Sequence, residues 1–332
     1  MTKKERPIPE QGQEPRSIKT EKLPPSFKMG RDVALQLSRV EGDLFTEMEK
    51  NENEGENGKY ITSGISRVVS ELDFRGFSFA VCQILYNQSV QYGNTDTNSG
   101  LTREEAPRAT KKTGSTQYIG DIVTSLNDLC RLAYGVDAPD ARQKKSMSTL
   151  LKTIDNTPVV TYLPNGDVLE TKLCATMSRY TREEDKAVFY HLHLHSVFCS
   201  DVKNNYGELP QDITKRLSKV TKKKTAAHYN LLLLLSLQTK NKPFVRTIKQ
   251  LLKDLNLDEA HKKDKGRTER QLVSLFECMK NMKMIDRYKI EYTTTRAKKV
   301  IDKVTFHLSS REKLLGKSGE EPEEELALEP VR

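Results

Sequence analysis

The chain has 332 residues, with 55 Lys and Arg against 46 Asp and Glu; its formal charge of +9 favours a polyanionic partner, and its length holds two ordinary domains plus tails. Its longest apolar run, Leu231–Leu235, is too short to cross a membrane, and the polar start Met1–Arg6 does not read as a signal peptide, so a cytoplasmic protein is expected. Five Cys, an odd number with no CxxC pair, fit buried thiols in a reducing compartment rather than a disulfide framework.

Residues 1–58 are poor in large apolar side chains and rich in Pro, Glu, Lys and Asn, and are expected to form a mostly disordered arm. Within it Val33–Leu44 could form a short helix. Order is expected from about Ile61. Phe77, Ala80, Val81, Ile84 and Leu85 recur at helical spacing, which predicts an amphipathic helix over Phe77–Gln91. Tyr92–Gln117 is polar and carries Gly93, Gly100, Pro107 and Gly114, the composition of a long loop.

Ile122–Thr124 reads as a short strand and Ser125 as the N-cap of a helix running to Tyr134. Gly135 ends that helix, and Pro139-Asp140 opens the next, Ala141–Ile154. At about 100° per residue, Gln143, Met147, Leu150, Leu151 and Ile154 share one face of this second helix. Arg142, Lys145, Thr149 and Lys152 lie opposite, flanked by Ser146 and Ser148, without a carboxylate among them. A face that is cationic, rich in hydroxyls and free of acid suits contact with phosphates and base edges in a major groove.

Val159–Leu163 and Val168–Leu173 alternate around Asn165-Gly166, the strongest short hairpin signal, and are expected to form a wing beside the helix, with Asn165 near DNA. A second hairpin, Leu173–Met177 with Ala187–His195, is expected around the charged turn Arg179–Asp185.

Pro210–Val220 reads as a basic helix, Lys222 to Lys224 as a phosphate-contacting run or linker, and Ala226–Gln238 as a central apolar helix capped by Thr225. The pattern of the first unit then returns about 120 residues later. A short helix over Arg246–Leu255 leads through a polar break to Gly266. A helix over Arg267–Met282 follows, then strands near Ile285–Glu291 and Val300–Leu308. In the later helix Leu272, Val273, Phe276 and Met279 group together, while Arg267, Arg270, Gln271, Ser274 and Asn281 point away. Arg for guanine, and Gln or Asn for adenine, have bidentate reach to base edges. Glu269 and Lys280 fall toward the apolar side. Glu277 falls beside Arg270, where its carboxylate repels phosphate unless it pairs with Arg270 or accepts from a cytosine amine. The last residues, 311–332, form an expected acidic, disordered tail; 316–332 sum to −4, which leaves +13 to the rest.

His191, His193 and His195 alternate with Leu192 and Leu194, so in a strand they share a face that could hold a divalent metal. With Tyr206 or Tyr229 as nucleophile, this spacing resembles that of strand-nicking rolling-circle initiators and relaxases. A sheet with the leucines inward and solvated histidines is the preferred explanation, so an endonuclease is the alternative and a non-enzymatic protein without a cofactor the main expectation.

The layout from Ile61 to Leu308 resembles the initiator proteins of theta-replicating plasmids, which carry two tandem winged-helix domains. Ile122–Leu173 carries the likeness of the first domain and Ile213–His307 that of the second. The resemblance implies an α+β fold, with one winged-helix domain over residues 59–200 and another over 201–310. It implies binding of double-stranded DNA at repeated origin sites (iterons), help in melting the origin, and recruitment of host helicase and initiator proteins. It also implies repression of the protein's own promoter, and a homodimer in equilibrium with monomer. Arg267, Arg270, Gln271, Ser274 and Asn281 would read one site, and Arg142, Lys145, Ser146, Thr149 and Lys152 a second, with Lys222 and Lys223 on phosphates. A winged-helix transcriptional regulator without a replication role shares these features.

Overall fold

The computed structural model describes residues 24–30, 59–62, 71–91, 120–155, 158–162, 168–194, 198, 206–238, 242–295 and 298–315. The helix over 33–44, the loop over 92–117, Asn165, His195 and the acidic stretch from 316 onward lie outside them. In chain order come β1 (Ser26–Gly30), β2 (Lys59–Thr62), α1 (Glu71–Gln91), β3 (Gly120–Ser125), α2 (Leu126–Tyr134) and α3 (Ala141–Asp155). Strands β4 (Pro158–Tyr162), β5 (Val168–Lys172), β6 (Cys174–Thr181), β7 (Val188–Leu194) and β8 (Tyr206–Pro210) follow. Next are α4 (Ile213–Val220), α5 (Ala226–Ser236), β9 (Phe244–Thr247), α6 (Ile248–Leu255), α7 (Asp258–Lys263) and α8 (Lys265–Asn281). Strands β10 (Ile285–Thr295) and β11 (Lys298–Leu308) and the short helix α9 (Arg311–Leu314) close the described chain.

Two units repeat one plan: short strand, helix, helix, hairpin. In the first, β3 pairs with β7 and β7 with β6; in the second, β9 pairs with β11 and β11 with β10. In each of these two sheets the last strand therefore lies in the middle. The helices repeat residue by residue. Buried Leu129, Cys130 and Ala133 of α2 match Leu251, Leu252 and Leu255 of α6, each 122 positions on. Buried Met147, Leu150, Leu151 and Ile154 of α3 match Leu272, Leu275, Phe276 and Met279 of α8, each 125 positions on. The three extra residues fall in the connection between the two helices, where the second unit carries α7.

The helix ends repeat as well, because the same orphaned backbone donors and acceptors must be satisfied. Ser125 Oγ accepts from the Asp128 amide at 3.0 Å, and Thr247 Oγ1 from the Gln250 amide at 3.3 Å. Asp140 Oδ1 accepts from the Gln143 amide at 2.7 Å, and Asp264 Oδ1 from the Arg267 amide at 2.9 Å. Gly135 and Asn256, each just past the first helix of its unit, are both left-handed, at φ 64° and 61°.

The Asn165-Gly166 hairpin is not the wing of α3: β4 and β5 join β2 in a sheet of their own, ordered β2-β4-β5. Alternation and a turn specify a hairpin but not which sheet it enters. The wing position belongs to β6–β7. Its turn is tighter than Arg179–Asp185, since Arg179, Tyr180 and Thr181 pair with Tyr190, Phe189 and Val188. Arg182 grips Asp185 through two hydrogen bonds, at 3.0 and 2.5 Å, which holds the Asp185 carboxyl down at about 2. The helix expected over Arg246–Leu255 starts at Ile248, because Phe244–Thr247 extends as β9; the basic helix expected from Pro210 likewise starts at Ile213, after β8.

Helix α1 is not amphipathic. Phe74, Arg75, Phe77, Ser78, Phe79, Ala80, Val81, Cys82, Gln83, Ile84, Leu85 and Asn87 are all buried, so it runs through the centre of the molecule. The expectation of disorder up to residue 58 fails at β1, which pairs antiparallel with β8 and buries Phe27 and Met29 completely. Two apolar residues flanking one Lys were too short a signal against a polar background. The expected tail from 311 begins with helix α9, whose Leu314 is buried.

One hydrophobic core runs through both units. At the junction the C-terminal end of α2 takes hydrogen bonds from the second unit. Ser218 Oγ donates to the Tyr134 carbonyl at 2.7 Å, Lys224 Nζ to the same carbonyl, and the Tyr229 hydroxyl to that of Ala133 at 3.4 Å. On the other side Gln211 accepts from Gln83, exchanges hydrogen bonds with Asn87 of α1 and donates to the Ser26 carbonyl.

Candidate nucleic-acid interface

The repeat makes α3 and α8 equivalent, so their outward faces can be compared position by position. On α3, Arg142, Lys145, Thr149 and Lys152 are exposed, spaced three, four and three residues apart along one stripe. On α8, Arg267, Arg270, Ser274, Glu277 and Asn281 are exposed and continue that spacing. The offset of 125 aligns Arg142 with Arg267, Lys145 with Arg270, Thr149 with Ser274, and Lys152 with Glu277. Three of four aligned positions keep charge or hydroxyl character, and one reverses charge. Each stripe is one helical edge wide, the part that a major groove admits.

Two candidate residues stand off these stripes. Ser146 is half-buried and donates to Asp73 Oδ2 at 2.6 Å, so it anchors α3 to α1 instead of facing outward. Gln271, its aligned counterpart, is also half-buried. Asp73 receives in addition the Tyr134 hydroxyl at 2.8 Å, and burial together with this carboxylate raises the Tyr134 phenol above its ordinary value. A single carboxylate of α1 thus ties the end of α2 to the middle of α3. Val273 and Lys280 also differ from expectation: Val273 is only half-buried and Lys280 is exposed, while Leu275 and Cys278 fill the core face.

Glu277 does not pair with Arg270 among the described residues; it accepts the Tyr288 hydroxyl from β10 at 2.6 Å. The Tyr288 ring packs edge-on against Phe276, with centroids 5.3 Å apart, and burial together with Glu277 pushes its phenol up. Arg270 instead donates to the Gly266 carbonyl at 3.3 Å. Tyr288 was missed in the sequence because a strand partner eleven residues away follows no helical spacing.

The linker Lys222 and Lys223 are exposed, whereas Lys224 turns inward to Tyr134 and Ser218, and burial lowers its ammonium to about 8. Both wings add cations that sequence patterning did not single out. Arg182 lies over the Phe189 ring at 5.3 Å, and that ring stacks on Tyr180 at 5.0 Å. In the second wing Lys303 and Lys289 flank Glu291, at 2.9 and 3.5 Å. Wing turns and strand pairings set these positions, and neither has a fixed sequence period.

His191 and His193 lie on β7, the middle strand of its sheet, opposite Val123 and Asp121 of β3; both are half-buried while Leu192 and Leu194 are fully buried. Among the described residues no group of three or more His, Cys, Asp or Glu could hold a metal ion. Tyr229 is buried in the core, out of reach of a phosphodiester, and Tyr206 is half-buried with Lys28 over its ring at 4.1 Å. Among the described residues no helix is long and apolar enough to cross a membrane.

No protein-family model matches the chain, and no curated protein matches it. Among solved structures, the crystal structure of Pi initiator protein in complex with iteron DNA is similar at a TM-score of 0.39 and 11% identity, over 71% of this chain and 95% of that one. A likeness of this size assigns nothing.

Proposed function

We propose that the protein is a plasmid replication initiator that binds repeated sites as double-stranded DNA through two tandem winged-helix domains, over 59–200 and 201–310. The observation that carries the DNA reading is the repeat itself. Two equivalent helices, braced by equivalent hairpins, each turn outward a stripe that begins with two cations at matching positions. Phosphate contacts from these cations and from Lys222 and Lys223 would fix register, and Ser274 and Asn281 would read base edges. The layout resemblance to theta-type initiators supports the replication role, with origin opening, helicase recruitment, promoter repression and a monomer–dimer equilibrium as its further parts. The mechanism needs no covalent chemistry: binding energy spread over two modules on successive groove faces offsets the cost of deforming the duplex.

The test is nuclease footprinting on the DNA that flanks the gene. Wild type is expected to protect a series of direct repeats spaced by about two helical turns. The double variant Arg267→Ala and Arg270→Ala should keep its circular dichroism spectrum and lose that protection. An unchanged footprint from the double variant would contradict the assignment.

A further inference from the structure

The single charge reversal between the two stripes is Glu277, where α3 carries Lys152. A carboxylate on a DNA-facing stripe weakens phosphate binding, so it needs a compensating partner. The structure provides a way to hold it in place. Tyr288 donates to Glu277 Oε1 at 2.6 Å, and its ring is wedged against Phe276, which itself packs on Phe306 at 5.2 Å. The side chain of Glu277 is thus fixed by the wing while staying exposed, between Ser274 and Asn281 on the stripe. A carboxylate accepts at both oxygens, so a bond to Tyr288 leaves acceptor capacity for a second donor. In a major groove the base-edge donor that suits a carboxylate is the exocyclic amine of cytosine.

We propose that Glu277, positioned by Tyr288, is a specificity-determining residue that accepts from a cytosine amine in the recognised duplex and penalises every other duplex; this rests on the DNA reading above. The two modules then differ in kind. The α3 stripe, with Lys at the aligned position, attracts any duplex, and the α8 stripe gives up some of that attraction for selectivity.

The experiment selects preferred sites from a random duplex library with full-length wild type, Glu277→Gln, Glu277→Lys and Tyr288→Phe. Affinities for the selected site and for random duplex are then measured over a salt series. Glu277→Gln is expected to relax preference at one cytosine position and to lower the ratio of selected to random affinity about tenfold. Glu277→Lys should bind random duplex more tightly and steepen the salt slope by about one. Tyr288→Phe keeps the charge but frees it, so it should relax the same base position less than Glu277→Gln does. A selected motif unchanged at every position in Glu277→Gln overturns the proposal while the DNA reading stands. Loss of preference spread over all positions, in step with Tyr288→Phe, also overturns it, since it marks a purely structural link. Wild type that binds no duplex at low salt overturns both.

Discussion

At the residue scale the molecule depends on a few polar groups placed where several elements meet. Asp73 joins three helices by accepting from Tyr134 and Ser146. Hydrogen bonds to a charged group contribute more than neutral ones, so Asp73→Ala should cost about 2–3 kcal/mol, read as a lower urea midpoint. Lys224 is another such group, with a pH consequence. Its folded pKa of about 8 lies below the ordinary 10.5, so between those values the unfolded chain keeps a proton that the folded chain has released. Its contribution to stability therefore rises with pH across that window. The buried thiols act in the opposite sense. Cys130 is raised by burial to about 12 and Cys278 to about 11, and their contribution is full below 9 and lost as pH rises. Overall stability should fall from pH 8.5 to 10.5, and more steeply in Lys224→Met than in wild type; parallel unfolding curves would contradict the Lys224 assignment. Sequence could not foresee either group. Helical spacing puts Ser146 beside the cationic face, and only the position of Asp73, some seventy residues earlier, shows that it turns back to α1.

At the scale of elements, reading from sequence succeeded where a local rule determines the outcome. Ser125, Gly135 and Asp140 cap helices that form as their patterns predict, and the apolar faces of α3 and α8 carry most of the expected residues. It failed where pairing is long-range. Strand β1 depends on β8, about 180 residues away in sequence, and the wing depends on β7 returning to β3. Residue period sets which face of a strand is apolar, but strand partners are chosen by tertiary packing. Buried Phe27 makes β1 structural, so Phe27→Ala should destabilise by about 3–5 kcal/mol in denaturant unfolding. A loss below about 1 kcal/mol would mean that the strand is dispensable. Gly135 constrains the α2 end in the same way. It is left-handed, and a Cβ there would collide with the Thr214 backbone, so Gly135→Ala should loosen the junction and lower the thermal midpoint by several degrees.

At the scale of the whole molecule, a net +9 on a chain whose residues 316–332 sum to −4 leaves a strongly basic body, and the repeat distributes part of that charge over two equivalent helices. The shared core and the hydrogen bonds from Ser218, Lys224 and Tyr229 to the end of α2 bind the two units together, so their stripes meet a ligand as parts of one body. On the proposed reading, both stripes lie against duplex DNA. This is tested most directly by the slope of log affinity against log salt, for wild type and for each stripe stripped of its cations. Removing Arg142, Lys145 and Lys152 should reduce the slope by about three, and removing Arg267 and Arg270 by about two, in proportion to the phosphates released. A slope that stays at the wild-type value in both variants would show that the DNA, if bound, lies elsewhere on the surface.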